Sequence, residues 1–390
     1  MRIASLTRQE TLSGFRLKGM CDDFELYFDF PKSIRPRLCA DPFVAASLLS
    51  AMYLNQDIEI EEPWYISEQL LKNLNRIQDI FSRWEQYLGY RLHKIRITGG
   101  QLGEVPSDFD KTVSFFSGGV DGSHTFLTNK DEIDALLFVK GIDMQLDNDA
   151  LFAQTSEVNR VFLQKYDKPL LTIVSNVRFL GHHFGVKWGA CCGGGLSAIA
   201  LAIGARKCLI ASGSSYDYIY PSGTNYISDH LWSNGQTAIV HDGAQTSRLD
   251  KIRMLAEDKD CLDILRVCWH DDGYNCGKCE KCLRTMASLR ALGLKVDTFP
   301  ELTDDMALNQ LAKFKLYDIH DYQFLIENIE QAERIKDKVL VKALKKIQAD
   351  FERRKLMRDA DKCLFNGRIQ AVKQGLRNWR NGFRSNLNAG

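Results

Sequence analysis

The sequence predicts an α/β protein whose centre is a parallel sheet with helices on both faces. Three observations predict it. From Lys111 onward, short apolar runs alternate with helical patterns, the grammar of strand–crossover–strand units. The first of these runs ends in Ser117-Gly118-Gly119-Val120-Asp121-Gly122-Ser123 and passes straight into a helical pattern. Beyond the last proposed strand, Cys268, Cys276, Cys279 and Cys282 crowd together, a density that suits a metal knuckle better than a disulfide scaffold.

Taken in order, residues 1–108 read as an accessory α+β domain. Phe24–Phe30 alternates and forms a strand closed by Pro31. Asp41 caps DPFVAASLLSAMYL, whose apolar spacing of three and four is helical. Ile66–Leu88 gives a longer amphipathic helix, and Tyr90–Ile97 another strand. Residues 109–298 form the α/β domain. Strands are expected at 113–117, 135–140, 169–175, 207–212 and 237–241, and helices at 124–130, 149–165 and 194–204. In a parallel sheet, ligands gather at the carboxyl ends of the strands, so the glycine turn and the later loops share one edge. Residues 299–390 read as a helical, basic extension. From Phe351 onward ten Lys or Arg stand against three Asp or Glu, with Phe365, Trp379 and Phe383 interleaved. That mixture suits a nucleic-acid backbone and its bases, or a helix that binds a membrane surface or a protein partner.

Composition narrows the class. The balance of 51 basic to 50 acidic residues gives no global pull toward nucleic acid or membrane. No apolar run approaches the length of a membrane span, and MRIASLTRQE lacks a secretion core. Eleven cysteines, an odd number, fit a reducing compartment; we expect a cytoplasmic protein.

A strand that stops in two glycines and enters a helix suits a phosphate cradle. Glycine allows positive φ and close backbone approach, and the helix N-terminus adds partial positive charge. The word resembles the Ser-Gly-Gly-X-Asp-Ser loop of the PP-loop ATP pyrophosphatase superfamily. That resemblance implies a Rossmann-like (HUP) sheet and cleavage of ATP, with Mg2+, between its α and β phosphates. It implies that Ser117, Gly118, Gly119, Val120, Gly122 and Ser123 cradle phosphates, with Asp121 holding Mg2+ or orienting the turn. Gly141 and Asp143 would receive adenine and ribose, and Arg248 or Lys251 would neutralise pyrophosphate. The chain departs from the family word at Gly122, where serine is usual; the hydroxyl comes one place later, at Ser123.

Two loops carry further candidates. Gly193, Gly194 and Gly195 precede an alanine-rich helix and serve either an anion or tight packing. The stretch GSSYDYIYPSGTNYISDHLWSNGQ is long, aromatic and hydroxyl-rich. We expect a substrate-binding lid there, using Ser214, Tyr216, Asp217, Asp229 and Trp232. Four thiolates at Cys-X7-Cys-X2-Cys-X2-Cys complete a tetrahedral Zn2+ site of structural type; an iron–sulfur cluster uses similar spacing.

Turn and knuckle together resemble the 7-cyano-7-deazaguanine synthase family over roughly residues 111–293. The resemblance implies that a small-molecule carboxylate or nucleobase-like substrate is adenylated by ATP and then attacked by ammonia. We expect a homo-oligomeric ligase of this kind. Two alternatives stand beside it: an RNA base-modifying enzyme that accepts sulfur or nitrogen, and a nucleotide-binding component of a larger assembly without turnover.

Overall fold

The computed structural model describes residues 1–270, 273–316 and 320–365. Ten strands form one sheet: β1 (Arg2–Glu10), β2 (Gly14–Cys21), β3 (Phe24–Pro31), β4 (Ile58–Ile66), β5 (Ile97–Leu102), β6 (Thr112–Phe115), β7 (Ala135–Lys140), β8 (Leu170–Ser175), β9 (Lys207–Ala211) and β10 (Ala238–Asp242). Their order across the sheet is β10-β9-β6-β7-β8-β3-β2-β1-β4-β5. Pairing is parallel throughout, except at β1–β2, β2–β3 and β3–β8.

Helices α1 (Asp41–Leu54) and α2 (Glu68–Leu88) lie between the early strands; α3 (Val120–Thr128), α4 (Asp149–Gln164), α5 (Val177–His183) and α6 (Trp188–Ile203) between the central ones. After β10 come α7 (Arg248–Leu255), α8 (Lys259–Asp263) and α9 (Glu280–Ala291). The five central strands run in the order 3-2-1-4-5 when counted from β6, the order of doubly wound sheets. Its switch point falls between β6 and β9, beside the glycine turn. Right-handed crossovers place α3 and α4 on one face and α5 and α6 on the other; α6 packs against α1, and α3 against α7. Central β7 is buried along its whole length, as a strand covered on both faces must be.

The expected separate region at 1–108 is here continuous with the central sheet, and Met1–Glu301 form one compact unit. Strand β8 would otherwise end the parallel sheet with unpaired backbone groups. Instead β3 pairs with it antiparallel, Phe28 opposite Ser175. Ser175 Oγ donates to Tyr27 O at 2.7 Å, and Tyr27 N donates to Asn176 Oδ1 at 2.9 Å. Arg37, 2 % exposed, adds a clamp by donating through Nε and Nη2 to Leu201 O of α6.

Several elements differ from expectation for local reasons. Helix α3 starts at Val120, directly after the glycines, four residues earlier than the apolar pattern suggested. Strand β5 lies at Ile97–Leu102 instead of Tyr90–Ile97, its alternation hidden by Gly99 and Gly100, both at positive φ. Gly193–Gly195 lie inside α6 rather than ahead of it. A Cβ at Gly194 would overlap Ala45 O of α1, and one at Gly193 would overlap Gly223 O. Packing, not an anion, accounts for them.

The second compact unit begins at Leu302. It contains α10 (Asp304–Asn309), α11 (His320–Arg334) and α12 (Lys338–Phe365) around Phe324, Leu325, Ile329, Leu340, Leu344 and Ile347. The aromatic residues Trp379 and Phe383 of the basic segment lie outside the described residues.

Candidate functional site

Strand β6 delivers the chain to the glycine turn at the carboxyl edge. Gly118 has φ +76, and a Cβ there would stand 2.9 Å from Asn159 Oδ1 and 3.0 Å from Ile264 O. Position 118 therefore requires glycine twice, for its dihedral and for its space. Gly119 is the N-cap of α3 with extended backbone and no capping side chain, so the first amides of α3 are open to a ligand.

Asp121, in the first turn of α3, is the charged centre. Its Oδ2 accepts from Arg248 Nη1 at 2.6 Å, and its Oδ1 lies 3.5 Å from Lys251 Nζ. Both cations come from α7, where a three-residue spacing puts them on one face. Ser247 caps that helix, its Oγ accepting from Asp250 N at 3.2 Å. Lys251 is 1 % exposed and also donates to Ser212 O at 2.6 Å. Burial pushes the Asp121 carboxyl up, but Arg248 and Lys251, with Arg284 behind them, outweigh it and hold the group well below the usual carboxylate range. Burial pulls Lys251 down, against Asp121, which favours its charged form. The centre thus has more positive than negative charge, as an anion site requires.

A cavity of about 230 Å3 opens beside the turn. Phe115, Phe116, Ser117 and Gly122 form one wall, the end of β7 with Ile142 and Asp143 another, and Trp188, Cys192 and Leu196 of α6 a third. Ile210 and Ala211 of β9 close it, placing it at the switch point. Mostly apolar walls with a few polar groups suit a planar organic group.

The expected residues fall into two groups. Ser117, Gly122 and Asp143 line the cavity, while Gly118 and Gly119 build the turn and Asp121, Arg248 and Lys251 meet. The others sit elsewhere. Val120 is core, 1 % exposed, leaving only its backbone amide for a ligand. Ser123 is fully buried with its hydroxyl toward Cys261, so it does not replace the serine missing at 122. Gly141, at φ +95, is needed because a Cβ would overlap Ser175 O.

In the loop between β9 and β10, two of the five residues expected to bind substrate are buried anchors. Asp229 is fully buried, with His241 Nδ1 2.7 Å from its Oδ2, and it accepts from Asn225 N at 2.9 Å. Trp232 is 1 % exposed and packs on Gly193 and Gly194. These two hold the loop to the body; neither lines the cavity. Ser214 is half-buried, and Tyr216 is exposed with its ring edge-on to Tyr226. Asp217 accepts from Ser215 Oγ at 3.2 Å. From this loop it is Thr224, not singled out by sequence, that reaches the cavity wall.

The four cysteines do come together, their sulfurs all within 4.8 Å of one another. Cys268–Cys279 is 3.8 Å and Cys276–Cys282 is 3.9 Å, near the roughly 3.8 Å edge of a tetrahedron with 2.3 Å Zn–S bonds. Cys279 is the N-cap of α9, which sets Cys282 one turn further along the same face. Backbone amides of His270 and Cys279 donate to Cys268 Sγ and Cys276 Sγ, both at 3.3 Å. Asn275 staples the knuckle: Oδ1 accepts from Val267 N and Cys268 N, and Nδ2 donates to Leu265 O and Thr298 O. The donor set is that of a closed, structural metal site.

Comparison with protein-family models, with curated proteins and with solved structures finds no match for this chain. What the site can do therefore rests on its own chemistry.

Knuckle and turn adjoin. Arg266 N donates to Gly118 O at 2.9 Å, and Tyr274 Oη donates to Ile264 O at 2.7 Å. On α9, Lys281 Nζ sits 4.0 Å above the exposed Trp269 ring. Sequence reasoning passed over Asn159 and Arg266, though a signal was present. Arg266 interrupts the apolar run Ile264-Leu265-Val267, and Asn159 stands on the same helical face as Leu151 and Phe162.

Proposed function

We propose that this chain is an ATP-dependent ligase of the PP-loop type, with its central sheet a Rossmann-like (HUP) nucleotide platform. One observation carries the reading: a glycine turn at a helix N-terminus, whose Asp121 meets Arg248 and Lys251, borders through Ser117 and Gly122 an apolar cavity at the sheet's switch point. The cavity takes the adenine, and the turn takes the β and γ phosphates. Asp121 and Asp143 are the carboxylates available to a Mg2+ carried in on those phosphates, a cation that needs few protein ligands. Bound there, Mg2+ would supply charge neutralisation of the phosphate chain.

A substrate carboxylate oxygen attacks the α phosphorus, and the bond from that phosphorus to the bridging oxygen breaks. Pyrophosphate leaves toward Arg248, Lys251 and the amides of α3, which bear the developing charge. Ammonia then attacks the acyl carbon, AMP departs with the electron pair, and a proton lost from nitrogen leaves an amide. The four-cysteine site holds Zn2+ as a structural ion. The acceptor is a small carboxylate or nucleobase-like compound, and the working form is a cytoplasmic homo-oligomer.

Incubation with α-labelled ATP and a metabolite extract tests this reading. AMP and pyrophosphate should appear together, and Asp121→Asn should abolish both. ADP and phosphate as products would overturn it. The second reading, nucleotide binding without turnover, is favoured by Gly122, which leaves the turn without the usual hydroxyl, and by both Asp121 oxygens facing protein cations. ATP binding with no pyrophosphate from any fraction decides for it.

A further inference from the structure

Two buried groups beside the glycine turn have no role in the chemistry above. Arg266 is 3 % exposed, yet its enclosed Nε and Nη2 find no hydrogen-bond partner among the described residues. Asn159 is fully buried, and both atoms of its amide are equally unpartnered. Thr155, one helical turn earlier on α4, buries a third polar group of this kind. Buried polar atoms are nearly always satisfied, and an enclosed guanidinium with open donors is among the costliest exceptions. Such groups, kept together, point to an absent ligand.

Their placement says where. Asn159 Oδ1 is 2.9 Å from the Cβ position of Gly118, so its amide faces the turn directly. Ile264 O stands 3.0 Å from the same point and accepts the Tyr274 hydroxyl at 2.7 Å. Arg266 joins the turn through its backbone, its N donating to Gly118 O at 2.9 Å. Arg248 and Lys251, by contrast, are already engaged by Asp121.

We propose that Arg266 and Asn159 bind the terminal phosphoryl group of a polyphosphate at the glycine turn, and so select ligands carrying pyrophosphate over monophosphates. The inference rests on the nucleotide reading and adds to it the residues that sense the length of the phosphate chain. A guanidinium fork matches two phosphate oxygens, and the Asn159 amide, both of whose ends are unpartnered, can turn to donate its nitrogen to a third. The open amides of α3 complete the cradle.

Calorimetric titration with inorganic pyrophosphate, ATP and AMP tests it, on the full chain and on Arg266→Met and Asn159→Leu, with the melting temperature of each ligand-free protein. Arg266→Met should weaken pyrophosphate and ATP by about 10- to 100-fold, the worth of a charge-assisted bond, and leave AMP within about twofold. Its ligand-free form should melt no lower than the parent, because an apolar side chain replaces an unpaired buried charge. Asn159→Leu should show the same selective loss, and carries the test alone if the arginine variant does not fold. Pyrophosphate affinity unchanged within about twofold in both variants, beside an unaltered ATP affinity, overturns this inference only. A parent protein that binds neither ATP nor pyrophosphate overturns the nucleotide reading with it. A lower ligand-free melting point with AMP and ATP weakened alike would make Arg266 structural.

Discussion

Asp121 is held by two cations of different character: Arg248, partly exposed, and Lys251, enclosed. Its native acidity is raised, so its stabilising contribution is complete above the ordinary carboxylate range. That contribution is lost only as pH falls through the lowered native value. Asp121→Asn should therefore cost about 1–3 kcal/mol between pH 5 and 8, between the worth of exposed and buried pairs, and progressively less below about pH 4. Urea unfolding of both proteins across that range checks it; a cost independent of pH down to the acid limit would contradict the pairing. At this scale the sequence was informative where chemistry and geometry coincide. The turn could be read from residue type and spacing; the resemblance pointed to Asp121 and to Arg248 or Lys251, and the structure brings all three together. Asp229 and Trp232 were misjudged because a polar and an aromatic residue in a long loop look the same whether they face a ligand or anchor the loop. Only long-range contacts, to His241 and to Gly193, separate the two.

Among the elements, α6 shows how glycine is read two ways. Three consecutive glycines weaken a helix interior, which is why the sequence favours a loop there. The helix persists because α1 crosses it so closely that Ala45 O occupies the space of a Gly194 side chain. Gly194→Ala should then destabilise by about 1–3 kcal/mol, although alanine is the better helix former, because backbone cannot yield as a side chain does. Thermal or denaturant unfolding decides: a variant more stable than the parent would mean that the helices are free to separate. The central strands were legible because parallel strands buried on both faces leave unbroken apolar runs. Of the early antiparallel strands β3 was read, at Phe24–Phe30, but β1 and β2 were not. In β1 the register shifts between Ala4 and Thr7, and Ser5 takes positive φ, which breaks the alternation that marks a strand.

Within Met1–Glu301 the largest consequence is that the turn and the cysteine knuckle share a wall. Segment 264–268 gives Ile264 O and Arg266 to the glycine turn on one side, and is held by Asn275 and ended by Cys268 on the other. Sequence spacing showed both motifs but not their contact, since Gly118 and Arg266 are joined by the fold alone. Four thiolates brought together without a cation would repel, so the binding energy of a metal held there would also be folding energy for this segment. Cys276→Ser, or a strong chelator, should release one zinc per chain, read by elemental analysis. It should also speed amide exchange at 264–268 and at 117–119, and leave β1–β3 protected. The anion affinity proposed for the turn should fall with it, although no cysteine touches the cavity except Cys192, which lies outside the knuckle. Iron in place of zinc would change the ion and leave this coupling intact. Zinc loss with unchanged exchange at 117–119 would show that the knuckle is a separate module, and that the turn keeps its shape without it.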